Sequence, residues 1–186
     1  TISGVATQGQ TLTAGNTLTD ADGLGVISYQ WYREGTAISG ATATNYVLTQ
    51  ADVGKAITVA ASYVDAYGHA ESVSSSATAA VLNINDAPIG LVTISGVATQ
   101  GQTLSAGNTL TDADGLGVIS YQWYREGTAI SGATATNYVL TQADVGKAIT
   151  VAASYVDGYG HAESVSSSAT AAVLNINDAP SGLVTI

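Results

Sequence analysis

The sequence predicts an all-β chain made of two copies of one antiparallel β-sandwich. Residues 1–94 match residues 93–186 at all but three of 94 aligned positions, so the chain repeats with a period of 92 residues. Apolar and polar residues alternate within each copy, as in half-buried strands. Turn-forming Gly, Asn and Asp residues separate these runs at intervals of about 8–12 residues, the spacing expected of a sandwich. The positions that differ between the copies are Thr13/Ser105, Ala66/Gly158 and Ile89/Ser181.

Each period has the length of one small domain rather than of a solenoid repeat, which spans about 20–45 residues. We therefore expect a first repeat at 1–86 and a second at 87–178. Residues 179–186 would then be the linker and first strand of a third copy.

About seven short strands are predicted in each copy, as in an antiparallel sandwich of this size. In the first copy the clearest alternating runs are residues 5–6, 10–14, 27–33, 45–48, 56–64 and 73–81. Within the third run, Ile27, Tyr29 and Trp31 share one face. Residues 49–52 predict one helical turn that Thr49 caps.

The composition excludes several classes of protein. The formal net charge is −10, with 10% charged and 46% apolar residues. An acidic chain lacks the basic face that nucleic acids or anionic membranes require, and the apolar fraction is too high for a disordered tail. The chain contains no Cys, which excludes disulfides and thiolate metal sites, and no apolar run is long enough to cross a membrane.

The segment Trp31-Tyr32-Arg33 resembles strand C of immunoglobulin-type domains, where a tryptophan fills the core. Residues 48–63 resemble the E–F stretch of the same domains, without the cysteine of strand F. The resemblance implies an immunoglobulin-like Greek-key sandwich with Trp31 in its core. Two such domains would follow one another end to end.

Acidic and amide residues occur in three turn motifs of each copy. Carboxylate and amide oxygens are the ligands that Ca²⁺ prefers. In the first copy these residues are Asp20 and Asp22, then Asp65, then Asn83, Asn85 and Asp86. In the second copy they are Asp112 and Asp114, then Asp157, then Asn175, Asn177 and Asp178.

In an immunoglobulin-type sandwich the B–C and F–G loops lie at the end where the chain enters, and strand G leaves at the other end. The linker 83–88 should therefore meet the loops of the following repeat. The one complete set comprises Asn83, Asn85, Asp86, Asp112, Asp114 and Asp157. Asp20, Asp22 and Asp65 have no linker before them in this chain, and Asn175, Asn177 and Asp178 have no repeat after them. Ordinary turn formation is the alternative for each motif alone, because Asp and Asn side chains bond to their own backbone.

The linker Asn-Ile-Asn-Asp-Ala-Pro is similar to the Asp-x-Asn-Asp-x-x-Pro linker of cadherins. Over essentially all 186 residues the chain resembles the extender repeats of giant adhesins of the repeats-in-toxin type, found on Gram-negative bacteria. This resemblance implies an extracellular, Ca²⁺-stiffened spacer that holds a terminal adhesive domain away from the cell. Gln8 and Gln10 stand where cadherins place a glutamate, and no Asp-Arg-Glu motif is found. We therefore expect one ion per junction rather than three.

The sequence thus predicts a calcium-binding structural extender of a secreted, cell-surface adhesin that supports attachment or biofilm growth. Its partners would be neighbouring repeats of the same monomeric chain, without nucleic acid or membrane insertion. The alternative is a carbohydrate- or protein-binding module that acts by avidity, with Tyr32 and Tyr124 as candidates for stacking on a sugar. No constellation of nucleophile and base is present, so an enzyme is not expected.

Several other polar residues have simpler interpretations. His69 and His161 are expected to be solvated loop residues, because a zinc site needs further ligands. Asp52 and Glu34 are expected to face solvent or to pair with Lys55 and Arg33. Glu71 either reaches the junction or begins strand G on its exposed side.

Overall fold

The computed structural model describes all residues from 1 to 186. The chain divides into two compact units, Thr1–Ile84 and Asn85–Ile186. Both are built from β-strands, and the helical elements are single 3₁₀ turns at Gln50–Asp52 and Gln142–Asp144. No helix is long and apolar enough to span a membrane.

The first unit contains seven strands arranged in two antiparallel sheets. One sheet has the order β1-β2-β5 and the other has the order β4-β3-β6-β7. The strands are β1 (Ile2–Ser3), β2 (Thr11–Ala14), β3 (Ser28–Arg33), β4 (Thr36–Ala37), β5 (Asn45–Val47), β6 (Ile57–Val64) and β7 (Ala70–Ser74).

The second unit repeats this arrangement, with sheets of order β8-β9-β12 and β11-β10-β13-β14. Its strands are β8 (Val92–Ser95), β9 (Thr103–Asn108), β10 (Ser120–Arg125), β11 (Thr128–Ala129), β12 (Asn137–Val139), β13 (Ile149–Val156) and β14 (Ala162–Ser166). The strands β8 and β9 are longer than their counterparts β1 and β2 because residues 89–92 extend the pairing. Val92 pairs with Asn108, and Ile89 forms a bridge with Thr111.

The two sheets of each unit pack face to face over an apolar core. In the first unit the core joins Leu12 of β2, Trp31 of β3, and Ile57 and Val59 of β6. Trp31 has no exposed surface, stacks on Tyr46 and donates its Nε1–H to the Ala43 carbonyl oxygen at 2.8 Å. The prediction that Trp31 belongs to the core is confirmed. The strand order is that of an immunoglobulin-like sandwich, so the predicted fold class is confirmed as well.

The predicted helical turn after β5 is present. Thr49 precedes the turn Gln50–Asp52, and its backbone N–H and hydroxyl both donate to Asp52 Oδ2, at 2.7 and 2.8 Å. The predicted pairing is present, because Arg33 binds Asp52 and Lys55 binds Glu34. The expectation that the Asp52 pair is a surface pair of little energy is wrong, because the Asp52 side chain has no exposed surface. Tyr46 and Arg33 also donate to this carboxylate, so the buried charge is fully compensated.

Strand G differs from the predicted alternation over residues 73–81. The strand β7 begins at Ala70 and ends at Ser74, and among the apolar positions of the predicted run only Val81 is buried. Beyond Ser74, the hydroxyls of Ser75 and Thr78 accept the backbone N–H groups of Val59 and Ile57, at 3.0 Å each. Side-chain oxygens thus take the place of backbone acceptors. The backbone N–H groups of Ser75 and Thr78 still donate to the Val59 and Ile57 carbonyl oxygens, so the segment stays bound to β6 without a regular ladder.

Candidate metal centre

In immunoglobulin lettering, the B–C loop joins β2 to β3 or β9 to β10, and the F–G loop joins β6 to β7 or β13 to β14. The F–G loop of each unit folds around one aspartate. In the first unit the backbone N–H groups of Tyr67 and His69 donate to Asp65 Oδ1, at 2.9 and 2.8 Å. The His69 Nδ1 atom lies 3.0 Å from Asp65 Oδ2 while most of the imidazole stays exposed. The hydrogen bond from the His69 backbone holds the pKa of Asp65 below its usual range, although burial opposes the change. The carboxylate is therefore charged at neutral pH.

Asp157 occupies the same place in the second unit. It accepts the backbone N–H groups of Tyr159 and His161 at 2.8 Å each and is almost fully buried. Burial acts to raise the pKa of Asp157, but the backbone donors outweigh it and the pKa lies below its ordinary value. Each F–G aspartate is thus held in place by its own loop, as ordinary turn formation requires.

The first aspartate of each B–C loop is fixed by a tyrosine of strand F. The Tyr63 hydroxyl donates to Asp20 Oδ2 at 2.7 Å, which raises the pKa of Tyr63 to about 12. The Tyr155 hydroxyl donates to Asp112 Oδ2 in the same way, and burial together with this bond raises the pKa of Tyr155.

The linker reaches the B–C loop and strand β14 within the second unit. The backbone N–H of Asp86 donates to Asp114 Oδ2 at 2.7 Å, and Asn85 Nδ2 donates to Glu163 Oε1 at 2.8 Å. The B–C and F–G loops also meet, because the Gly158 N–H donates to the Asp114 carbonyl oxygen at 3.0 Å. The structure therefore brings the linker, the B–C loop and the F–G loop together at one end of this unit, which we call the acidic pole.

The second aspartate of the B–C loop differs between the units. Asp114, which the linker contacts, is 4% exposed, whereas Asp22 is an exposed residue. Asn175, Asn177 and Asp178 are exposed at the C-terminal end of the second unit.

Asn83, the first amide residue of the linker, belongs to the first unit. Its Oδ1 and Nδ2 atoms are both buried and have no hydrogen-bond partner. A buried polar group without a partner costs about 1–3 kcal/mol, so such a group calls for a specific explanation.

The donor chemistry at this pole fits a calcium ion. Every side chain that contributes is a carboxylate or an amide, and a carboxylate offers about four lone-pair sites. Asp112 accepts the Asp114 N–H on Oδ1 and the Tyr155 hydroxyl on Oδ2, and Asp114 accepts the Asp86 N–H on Oδ2. As the side chains stand, no group of three or more carboxylate or imidazole residues forms a metal-binding cluster. The residues thus supply suitable oxygens, and their carboxylates are engaged in internal hydrogen bonds.

Three residues that lie outside the predicted set contact the linkers. Glu163, which binds Asn85, is the second-copy counterpart of Glu71, for which the sequence left two interpretations open. Gln8 and Gln100 hold the outgoing chain: their Oε1 atoms accept the N–H groups of Ile84 and Ile176, at 3.1 and 3.2 Å. Gln100 Nε2 also donates to Asp178 Oδ2 at 3.0 Å. The sequence offered one signal for the glutamines, which is that Gln8 stands where cadherins place a glutamate. That signal did not indicate which backbone group the glutamine side chain binds.

Comparison with known proteins gives limited information. No protein-family model matches the chain, and no curated protein matches it significantly. Among solved structures, the amphioxus IgVJ-C2 molecule is 17% identical, with 86% of this chain and 97% of that chain covered and a TM-score of 0.33. The fibronectin(III)-like modules of Clostridium thermocellum CbhA are 18% identical, with 98% and 100% covered and a TM-score of 0.31.

Proposed function

We propose that the chain is a segment of a structural extender in a cell-surface adhesin, stiffened by Ca²⁺ at the linker between repeats. The observation that carries this proposal is the position of the linker in the second unit. Asn85 and Asp86 contact Glu163 and Asp114, next to the loop of Asp157. A segment that connects two domains is thus held at the acidic pole of the second one.

Calcium would be held by oxygens of Asn83, Asn85, Asp86, Asp112, Asp114 and Asp157. The bound ion would supply positive charge to acidic residues that otherwise repel one another. Asn83 is included because it belongs to the linker and an amide oxygen is a suitable calcium ligand.

The repeat itself also favours a mechanical role. The two copies are nearly identical, and a spacer gains length with each copy, whereas an added active site or pocket gains nothing in reach. Extracellular calcium modules bind with a Kd of about 10⁻⁴–10⁻³ M, which suits calcium levels outside the cell. The repeats would thus be flexible before export and stiff on the cell surface, where they would project a terminal adhesive domain.

The test is a thermal melt of the 186-residue chain in Ca²⁺, in Mg²⁺ and in EGTA. A ligand that binds only the folded state stabilises it by about 2.7 kcal/mol at 100 times its Kd, so Ca²⁺ should raise the melting temperature selectively. Small-angle scattering should then show a narrower distribution of lengths in Ca²⁺ than in EGTA.

Asp114→Asn and Asp22→Asn form a matched pair for this test. Both remove one charge from the same loop position, but only Asp114 contacts a linker. Asp114→Asn should reduce the calcium-dependent rise and Asp22→Asn should leave it unchanged. A melting temperature that does not respond to Ca²⁺ would contradict the proposal.

A further inference from the structure

One of the three differences between the copies lies where the two acidic loops touch. Residue 66 of the first copy is alanine, and its counterpart in the second copy is Gly158. Both belong to the F–G loop and donate their backbone N–H to the B–C loop. The exchange therefore changes one methyl group at a contact between two loop backbones.

In the second unit this contact has no room for a side chain. A Cβ atom placed on Gly158 would lie 2.5 Å from the Asp114 carbonyl oxygen, closer than real Cβ atoms come to any such atom. The φ angle of Gly158 lies outside the left-handed region. Glycine is therefore required here for space and not for its conformational freedom.

In the first unit the same loops accommodate a methyl group by standing slightly further apart. The Ala66 N–H lies 3.2 Å from the Asp22 carbonyl oxygen, compared with 3.0 Å for Gly158 and Asp114. The Ala66 methyl lies 3.0 Å from the place where a Cβ on Gly23 would be. The exposure of Asp22 and Asp114 is not comparable in the same way, because only Asp114 has linker residues of this chain bound to it.

We propose that the residue at position 66 or 158 determines how closely the B–C loop approaches the F–G loop. This distance would in turn determine how tightly the B–C loop binds the preceding linker. Glycine permits the closed arrangement, in which the Asp114 peptide approaches residue 158 and its carboxylate accepts the Asp86 N–H. Alanine would move that peptide away and lengthen the contact toward the 3.2 Å seen between Ala66 and Asp22 in the first unit. Repeats of one array would thus differ in how tightly they bind the preceding linker, because of a single methyl group. On the proposed function, glycine-bearing repeats would also bind calcium more tightly.

Gly158→Ala tests the proposal, with Ala66→Gly as its matched control in a loop that no linker of this chain contacts. Without calcium, Gly158→Ala should speed hydrogen exchange at the Asp86 amide by about two- to tenfold, the range that one net hydrogen bond supports. The Trp123 amide in the core should exchange as before, which confirms that the unit is folded. Ala66→Gly should leave the Asp86 amide unchanged.

A calcium titration of the same variants measures whether the calcium affinity changes as well. Gly158→Ala should weaken binding by a similar factor, and Ala66→Gly should not change it. Unchanged Asp86 exchange in Gly158→Ala would overturn the inference, as would equal changes in both variants, which would indicate a general effect of glycine. Faster Asp86 exchange with no calcium binding in any variant would support the inference and refute the proposed function.

Discussion

Arg33 Nε donates to Asp52 Oδ1 at 2.7 Å although the Asp52 side chain has no surface exposed to solvent. Arg33 lies on β3 and Asp52 in the 3₁₀ turn, and Tyr46 of β5 completes the set of side-chain donors. The carboxylate therefore connects strands of both sheets. The same contacts recur around Asp144 in the second unit.

Replacement of Asp52 should destabilise the first unit alone. Asp52→Ala leaves the partly exposed Arg33 guanidinium and three further donors without their acceptor, and a buried donor left unsatisfied costs about 1–3 kcal/mol. Urea unfolding should then show two transitions, with the second unit unfolding near its original midpoint. The control is Glu34→Ala, because the Glu34–Lys55 pair is exposed and such pairs contribute at most about 1 kcal/mol. A single unshifted transition in Asp52→Ala would contradict this assignment.

Stability should fall at acidic pH and not peak at the isoelectric point near 4.1. For Asp52 and Asp144, burial raises the pKa, but hydrogen bonds from Thr49 or Thr141 and from the arginines outweigh it, so each pKa lies below the ordinary value. A carboxylate with a lowered folded-state pKa stabilises the fold fully above its unfolded pKa of about 4 and loses that contribution as the pH falls through the folded value. The free energy of unfolding, measured at constant ionic strength, should be flat near neutral pH and fall below about pH 4. A maximum near the isoelectric point would contradict the prediction.

The glutamine that holds each outgoing linker can be tested with two variants. Gln8→Ala removes the acceptor of the Ile84 N–H, so hydrogen exchange at this amide should become about two- to tenfold faster. Gln8→Glu keeps an oxygen at the same place and should preserve the protection. Equal exchange rates in the two variants would show that the side-chain oxygen does not hold the chain.

Trp31 and Trp123 allow each unit to be followed separately, because each unit contains one tryptophan. Trp31→Phe removes the donor to the buried Ala43 carbonyl and leaves unfilled space, which should destabilise the first unit by about 2–4 kcal/mol. In denaturant unfolding, circular dichroism should show a transition of the first unit at a lower denaturant concentration, while the fluorescence of Trp123 keeps its original midpoint. Loss of the Trp123 signal at the earlier transition would contradict independent unfolding.

The fold could be predicted because its determinants are local. Alternation around Trp31 and the capped turn at Thr49 depend on neighbours within a few residues, and both are present. The burial of Asp52 could not be predicted, since its arginine lies 19 residues away and reaches it only after the sheets pack. Strand G was placed too late in the chain, because alternation does not reveal that the Ser75 hydroxyl replaces a backbone acceptor.

The candidate site was predicted only in part, because some of its contacts follow from the strand order and others depend on side-chain conformation. The strand order brings the linker to Asp114, and topology alone was enough to expect their meeting. The roles of Glu163 and Gln100 depend on which way a long side chain turns at the end of a strand. Sequence spacing does not encode that choice. The role of Asn83 and the binding of calcium remain predictions.

The interrupted ladder after Ser74 also affects how an array of near-identical domains avoids aggregation. Each copy carries strands that match those of the other copy, so an exposed sheet edge would be a template for mispairing while the chain folds. The edge strands β4, β5, β11 and β12 span only two or three residues each, and β8 spans four. The longest edge, β7, stops after five residues, where hydroxyl groups occupy the inner strand. Short edges leave little backbone for a foreign strand to capture, so a chain can carry many copies of one sequence and still fold each copy on itself.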